Sequence, residues 1–140
     1  CLARMVWFKQ GRTMAYTYDT NNIFARILRG EIPCKKVLET EHALAFHDIA
    51  PQAPMHVMVI PKGPYVNFDH FAREASAAEQ LDFNAAIVAV IDALNIAPGA
   101  GQMGYRMVAN AGDSGMQEVP HLHVHIVSGR PLGRMIPRAD

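Results

Sequence analysis

The chain has 140 residues, half of them hydrophobic and 19% charged, with 13 basic and 13 acidic side chains and a formal net charge of zero. That length supports one domain with a real core and is short for two. A balanced charge argues against a bulk polyanion-binding surface, so no nucleic-acid polymer is an expected partner, and no uninterrupted apolar run approaches the ~18 residues of a membrane span.

Residues 1–13 show no clear period, and Met14 reads as a natural start. This stretch is expected to be a loosely ordered or extraneous extension ahead of the domain. Cys1 and Cys34 are far apart and form no C-x-x-C pair, so a reducing, cytoplasmic setting is expected. Asn21-Asn22 offers a helix N-cap, Ile23, Phe24, Ile27 and Leu28 follow at helical spacing, and Gly30 supplies a stop. Residues 36–39 predict a first strand. Residues 43–49 predict a second, with Leu44, Phe46 and Asp48 on one face, broken by Pro51 and Pro54. Residues 56–61 predict a third strand, β-branched and closed by Pro61. A single long helix is expected over about 69–95, where Phe83, Ile87, Val90 and Leu94 recur on one face. Residues 105–110 predict a fourth strand and residues 121–127 a fifth. Strands that neighbour one another in sequence favour antiparallel pairing, so the fold class is α+β: a five-stranded, mainly antiparallel sheet with one short and one long helix.

The fifth strand carries the chemistry. His121, His123 and His125 alternate with Leu122, Val124 and Ile126, the period-two pattern of one chemical and one apolar face. On a regular strand adjacent imidazoles would sit roughly 7 Å apart and the outer two roughly 13 Å apart. Three such ligands cannot share one zinc, whose nitrogens lie at ~2.0–2.1 Å. A metal site would need two of them and a third ligand from elsewhere, such as His56. No metal or other cofactor is therefore expected to be required, and zinc stands as a subordinate alternative. A central neutral imidazole flanked by donors suits nucleophilic phosphoryl or nucleotidyl transfer, with His123 as the natural nucleophile.

The run from His121 to Val127 matches the H-x-H-x-H-x-x signature of the histidine triad (HIT) family. Residues 23–33 resemble that family's opening helix, and residues 44–56 its nucleotide-binding hairpin. Val59-Ile60-Pro61-Lys62, Asn110-Ala111-Gly112 and the approach Gly115 to Pro120 also fit. The resemblance spans about residues 21–134 and is nearest to the Hint-like branch of purine nucleoside phosphoramidases. It implies a single HIT domain over residues 14–140, likened to family members that act as homodimers on purine nucleotides or nucleotide conjugates.

Residue by residue, the resemblance implies His123 as the nucleophile that takes up the nucleoside monophosphoryl group, His121 and His125 as its orienting and phosphate-contacting neighbours, and His56 as a fourth histidine. It implies Asp48 at the ribose hydroxyls and Ile23, Phe24, Ile27, Phe46 and Ile49 around the base. Asn110 and Gln117 would be polar contacts on the phosphate side. Read without the resemblance, Ile23, Phe24, Ile27 and Phe46 are ordinary core candidates and Asp48 is a turn residue before Pro51. The expected activity is hydrolysis of purine nucleoside 5′-phosphoramidates through a nucleotidyl-histidine. Hydrolysis of dinucleoside polyphosphates and a non-catalytic nucleotide-binding scaffold are the alternatives. Three positions depart from the family pattern. Glu118 replaces a small hydroxyl residue, Gly63 stands where a histidine commonly follows Ile-Pro-Lys, and residues 132–137 replace a Trp-containing tail that reaches toward the partner's site.

Overall fold

Proline and alternation set the limits of the sheet. The computed structural model describes residues 16–139; the expectation for residues 1–13 lies outside them. Helix α1 (Ile23–Leu28) is capped by Asn22, whose side-chain oxygen accepts the Ala25 N–H at 2.9 Å. Strands β1 (Lys36–Glu39), β2 (Ala43–His47) and β3 (Met55–Pro61) follow. After the helical region come β4 (Arg106–Ala109) and β5 (Val124–Ser128). The sheet order is β1-β2-β3-β5-β4, and every neighbouring pair is antiparallel. The chain's last strand is therefore inserted between its third and fourth.

The helical region corrects one expectation. In place of a single helix there are two, α2 (Phe68–Glu74) and α3 (Ala77–Leu94). Between them Ala75 is extended, and Ser76 and Glu79 form a reciprocal capping box. The box satisfies donors that a continuing helix would have bonded internally, so the backbone restarts there. The sequence signal, Ser76-x-x-Glu79, stands just ahead of the apolar periodicity.

Two apolar clusters form on opposite faces of the sheet. On one face Ala43, Ala45, Val57, Val59, Val124 and Ile126 pack against Phe83, Ala86, Ile87, Val90 and Ile91 of α3. The segment Ala77–Ala100 is long and apolar enough to cross a bilayer by length and composition, and a third of its apolar window is buried inside the protein. On the other face Leu44, Phe46, Met58 and Ile60 pack against Phe24 of α1. That second cluster is smaller and covers only the β2–β3 side. His125 stands on the β5–β4 side of the same face, opposite Val108. Beyond β5 the chain turns at Gly129, whose φ of 107° brings its backbone against Pro54; a Cβ at this position would fall 2.7 Å from the Pro54 Cβ.

Candidate active site

Register places the first imidazoles. His125 lies opposite Met58 on one side and Val108 on the other, and Val127 lies opposite His56. His56 and His125 therefore share the face on which α1 packs. The predicted fifth strand is shorter than expected, beginning at Val124 rather than His121. Continuing the β3 register would set Leu122 against Pro61, which has no N–H to give. Leu122 instead donates its N–H to the Tyr65 carbonyl at 2.8 Å. The alternation nevertheless persists: Leu122, Val124 and Ile126 all enter the core.

Hydrogen bonds assign each ring a different job. His121 is wholly buried, with Nε2 2.8 Å from the Pro61 carbonyl and Nδ1 2.6 Å from the Tyr18 hydroxyl. A carbonyl can only accept, so Nε2 carries the proton and Nδ1 accepts from Tyr18. His123 Nδ1 donates to the His121 carbonyl at 2.7 Å, which leaves Nε2 of His123 as a lone pair. His56 Nδ1 accepts the Gln52 N–H at 3.1 Å, so its proton is on Nε2. That Nε2–H lies 2.9 Å from Nδ1 of His125 and 3.3 Å from Oδ2 of Asp48. His125 accepts at Nδ1 and therefore carries its proton on Nε2. A lone pair on His123 and an N–H on His125 result, with ring centroids 5.0 Å apart.

A cavity of about 610 Å³ opens over these two rings. Every sequence-predicted site residue lines it except His121 and His56: Ile23, Phe24, Ile27, Phe46, Asp48, Ile49, Asn110 and Gln117 join His123 and His125 there. Phe24 stands edge-on to His123, centroids 4.9 Å apart, and edge-on to Phe46 at 5.7 Å. Phe24 and Phe46 are thus both core and wall, whereas Ile23 is 43% and Ile49 93% exposed and form the lip. Asp48 accepts the Ala50 N–H at 2.8 Å through Oδ1, so it is at once a turn residue and a carboxylate at the end of the apolar stripe.

The HIT domain family model matches residues 29–132. The chain belongs to the HIT family. It is 58% identical over 125 residues to an uncharacterised HIT-like protein of Azospirillum brasilense, covering 89% of this chain and 99% of that one. A HIT family hydrolase from Clostridium thermocellum superposes with a TM-score of 0.71 at 33% identity, covering 89% of this chain and all of that one. A histidine triad nucleotide-binding protein from Candida albicans gives 0.67 at 26% identity, covering 86% and 87%. The α+β architecture described above is the HIT fold.

In this HIT chain burial keeps the histidines neutral. It pushes His121 down to about 4, the Pro61 bond opposing and the nearby His123 adding to the fall. It also pushes His125 down to about 4, with His123 and His56 adding to the fall and Asp48 opposing. His123 and His56 are lowered by burial too. For His123 the opposing influences are the bond to the His121 carbonyl and the charges of Asp48 and Glu118. A neutral imidazole with a free Nε2 is the nucleophilic form.

Asp48, His56 and His125 each bring one ligand atom within 4.8 Å of the others, close enough to hold an ion. However, the Gln52 N–H at Nδ1 of His56 requires the proton to sit on Nε2, the atom an ion would need. The trio is built as a hydrogen-bond relay, which a metal would have to break. Gln117 is also committed: its Nε2 donates to the carbonyls of Val66 at 2.6 Å and Val119 at 2.9 Å. Its amide donors pin the loop leading to the histidines, and its Oε1 accepts the Gly112 N–H at 3.4 Å. Tyr18, the Gln52 N–H and the Pro61 carbonyl escaped sequence reasoning. Tyr18 stands outside any periodic element, and main-chain groups carry no residue signal. Met58 also lines the cavity; its alternation with His56 along β3 was the available clue.

Proposed function

We propose that this protein hydrolyses purine nucleoside 5′-phosphoramidates by transferring the nucleoside monophosphoryl group to His123 and then to water. The observation that carries the reading is the bond from Nδ1 of His123 to the His121 carbonyl. It directs the ring's lone pair to Nε2, on a residue that lines the cavity of about 610 Å³. The base would rest on Ile23, Phe24, Ile27, Phe46 and Ile49, and the ribose hydroxyls on Asp48. The Nε2–H of His125 and the side chain of Asn110 would face the phosphoryl oxygens. In the first step the Nε2–P bond forms as P–N breaks, and the departing nitrogen keeps the bonding pair and takes a proton from solvent. In the second, water attacks phosphorus and gives up a proton to solvent, the P–Nε2 bond breaks with its pair returning to His123, and the product is the nucleoside monophosphate.

No metal enters this scheme, since the Asp48–His56–His125 relay occupies the atoms an ion would use. We also propose a homodimer joined across α3 and the edge strand β4, supported by the exposed apolar side chains of Val88 on α3 and Met107 on β4, with Phe68 exposed at the start of α2.

The test is to mix the protein with an adenosine phosphoramidate, quench, and locate the adduct by mass spectrometry of the peptide spanning residues 121–125. Adenylation on His123 is expected. His123→Ala should lower kcat on the order of 10⁴-fold or more while retaining nucleotide binding. An adduct elsewhere, or turnover that survives the substitution, would refute the mechanism.

A further inference from the structure

The histidine face carries a second cleft, of about 420 Å³, on the far side of His125 from the nucleotide cavity. Arg106, Arg130, Leu132 and Met135 wall it, and Asn110 and His125 line both cavities. A phosphoryl group held between those two residues would have the nucleoside on one side and this cleft on the other. The cleft therefore sits where the departing group must go.

Its charge is distinctive. Arg106 pairs with Val127 in the β4–β5 ladder, two residues from Val108 opposite His125, so strand alternation sets it on the histidine face. Arg130 follows the Gly129 turn and reaches back to the Gln52 carbonyl at 3.3 Å and the Pro131 carbonyl at 3.0 Å. Arg106 donates to the Gly133 carbonyl. These braces are neutral. Among the described residues neither guanidinium has a carboxylate within 4.0 Å, and no acidic side chain lines the cleft. The nucleotide cavity is the reverse, holding Asp48 and Glu118 and no arginine. Each guanidinium has five N–H donors, only one or two of them taken by these carbonyls, and the planar fork matches carboxylate and phosphate geometry. Two uncompensated cations lining one cleft repel each other, and a bound anion relieves that repulsion.

We infer that Arg106 and Arg130 select a leaving group that itself bears an anion, a carboxylate or a phosphate. Preferred substrates are then nucleotide conjugates of amino acids, or nucleoside polyphosphates, over conjugates of plain amines. The inference rests on the nucleotidyl-transfer reading given above. The bond changes are the same: Nε2–P forms, the bond from phosphorus to the departing nitrogen or oxygen breaks, and its pair leaves with that atom. A departing nitrogen takes a proton from solvent, and a departing phosphate oxygen leaves as the anion.

The test uses the adenosine 5′-phosphoramidates of L-phenylalanine and of phenethylamine, which differ only in the carboxylate, together with diadenosine triphosphate. The wild-type protein, Arg106→Gln/Arg130→Gln and Arg106→Lys/Arg130→Lys would be compared by kcat/KM. The wild-type protein should favour the phenylalanine conjugate about tenfold or more, the gain expected of a charge-assisted hydrogen bond. The glutamine pair should bring that ratio close to one, and the lysine pair should hold it in between. A ratio near one, with diadenosine triphosphate cleavage falling more steeply than phenethylamine release in the glutamine pair, supports the same cleft with phosphate as its anion. A ratio near one with no such fall overturns the cleft assignment, as does a preference that the glutamine pair leaves intact. In both cases the adduct on His123 would still uphold the transfer reading. Failure of all three substrates to turn over or to label His123 would overturn both.

Discussion

His121 and His125 flank the same residue at the same spacing, and burial drives both to about 4. Their positions are otherwise opposite. His121 has both ring nitrogens engaged, by Pro61 and Tyr18, and touches His123 through its main-chain oxygen. His125 has one nitrogen engaged, by His56, and its other edge belongs to the cavity. One imidazole is a structural part that holds a carbonyl in place, and the other is a donor available to substrate. Equal places in a sequence motif do not mean equal roles, and even equal acidities do not. The identity of the hydrogen-bond partners separates them.

The sharpest way to break this contrast is to truncate each ring. His125→Ala should lower kcat by about 10²–10³-fold, the loss typical of one transition-state donor, with a modest change in unfolding midpoint. His121→Ala should do the reverse in emphasis. It leaves the Tyr18 hydroxyl and Pro61 carbonyl without their buried partner and should reduce stability by about 2–4 kcal/mol, measured by urea unfolding. If His121→Ala matched His125→Ala in kcat while leaving stability unchanged, the assigned roles would be wrong.

Acid provides the next test. Both rings are held below the ordinary value of 6.5, so between about pH 6.5 and about 4 the unfolded chain binds protons that the folded chain refuses. Stability from this source is complete above about pH 6.5 and is lost as pH falls toward about 4. For His121 the shift corresponds to about 3 kcal/mol. Unfolding midpoints at pH 7 and pH 4.5 should differ accordingly, and His121→Ala should flatten the slope. The smallest effect is expected of Tyr18→Phe, which deletes only the hydroxyl. It should lower stability by about 1 kcal/mol and leave the acid slope largely in place.

The sequence made the broad plan legible because that plan rests on periodicity. Alternation marked the strands, Phe83, Ile87 and Val90 marked the face of α3, and Leu44, Phe46 and Asp48 were correctly set on one stripe. Period two on β2, β3 and β5 sets Phe46, His56 and His125 on one face; the other site residues reach it from α1 and from the segments that flank the strands. Less visible were interruptions decided by a few hydrogen bonds. Ser76 and Glu79 split the long helix, and Pro61 shortened the last strand. The roles within the triad were least visible, because they depend on the Pro61 and His121 carbonyls and the Gln52 N–H. The Pro61 carbonyl comes from 60 residues away, the other two from within four residues of the histidine they contact, and a residue string does not say where a main-chain group will point.

That anchoring has an evolutionary consequence. The groups that set the proton positions on His121, His123 and His56 at their main-chain contacts are carbonyls and an N–H, which almost every amino acid supplies equally. Side chains around them can be exchanged without moving the ring protons, provided the backbone path holds. The chemistry is thereby insulated from drift in the walls around it. A lineage of such proteins is free to remodel the Arg106–Arg130 cleft while the lone pair on Nε2 of His123 stays where it was.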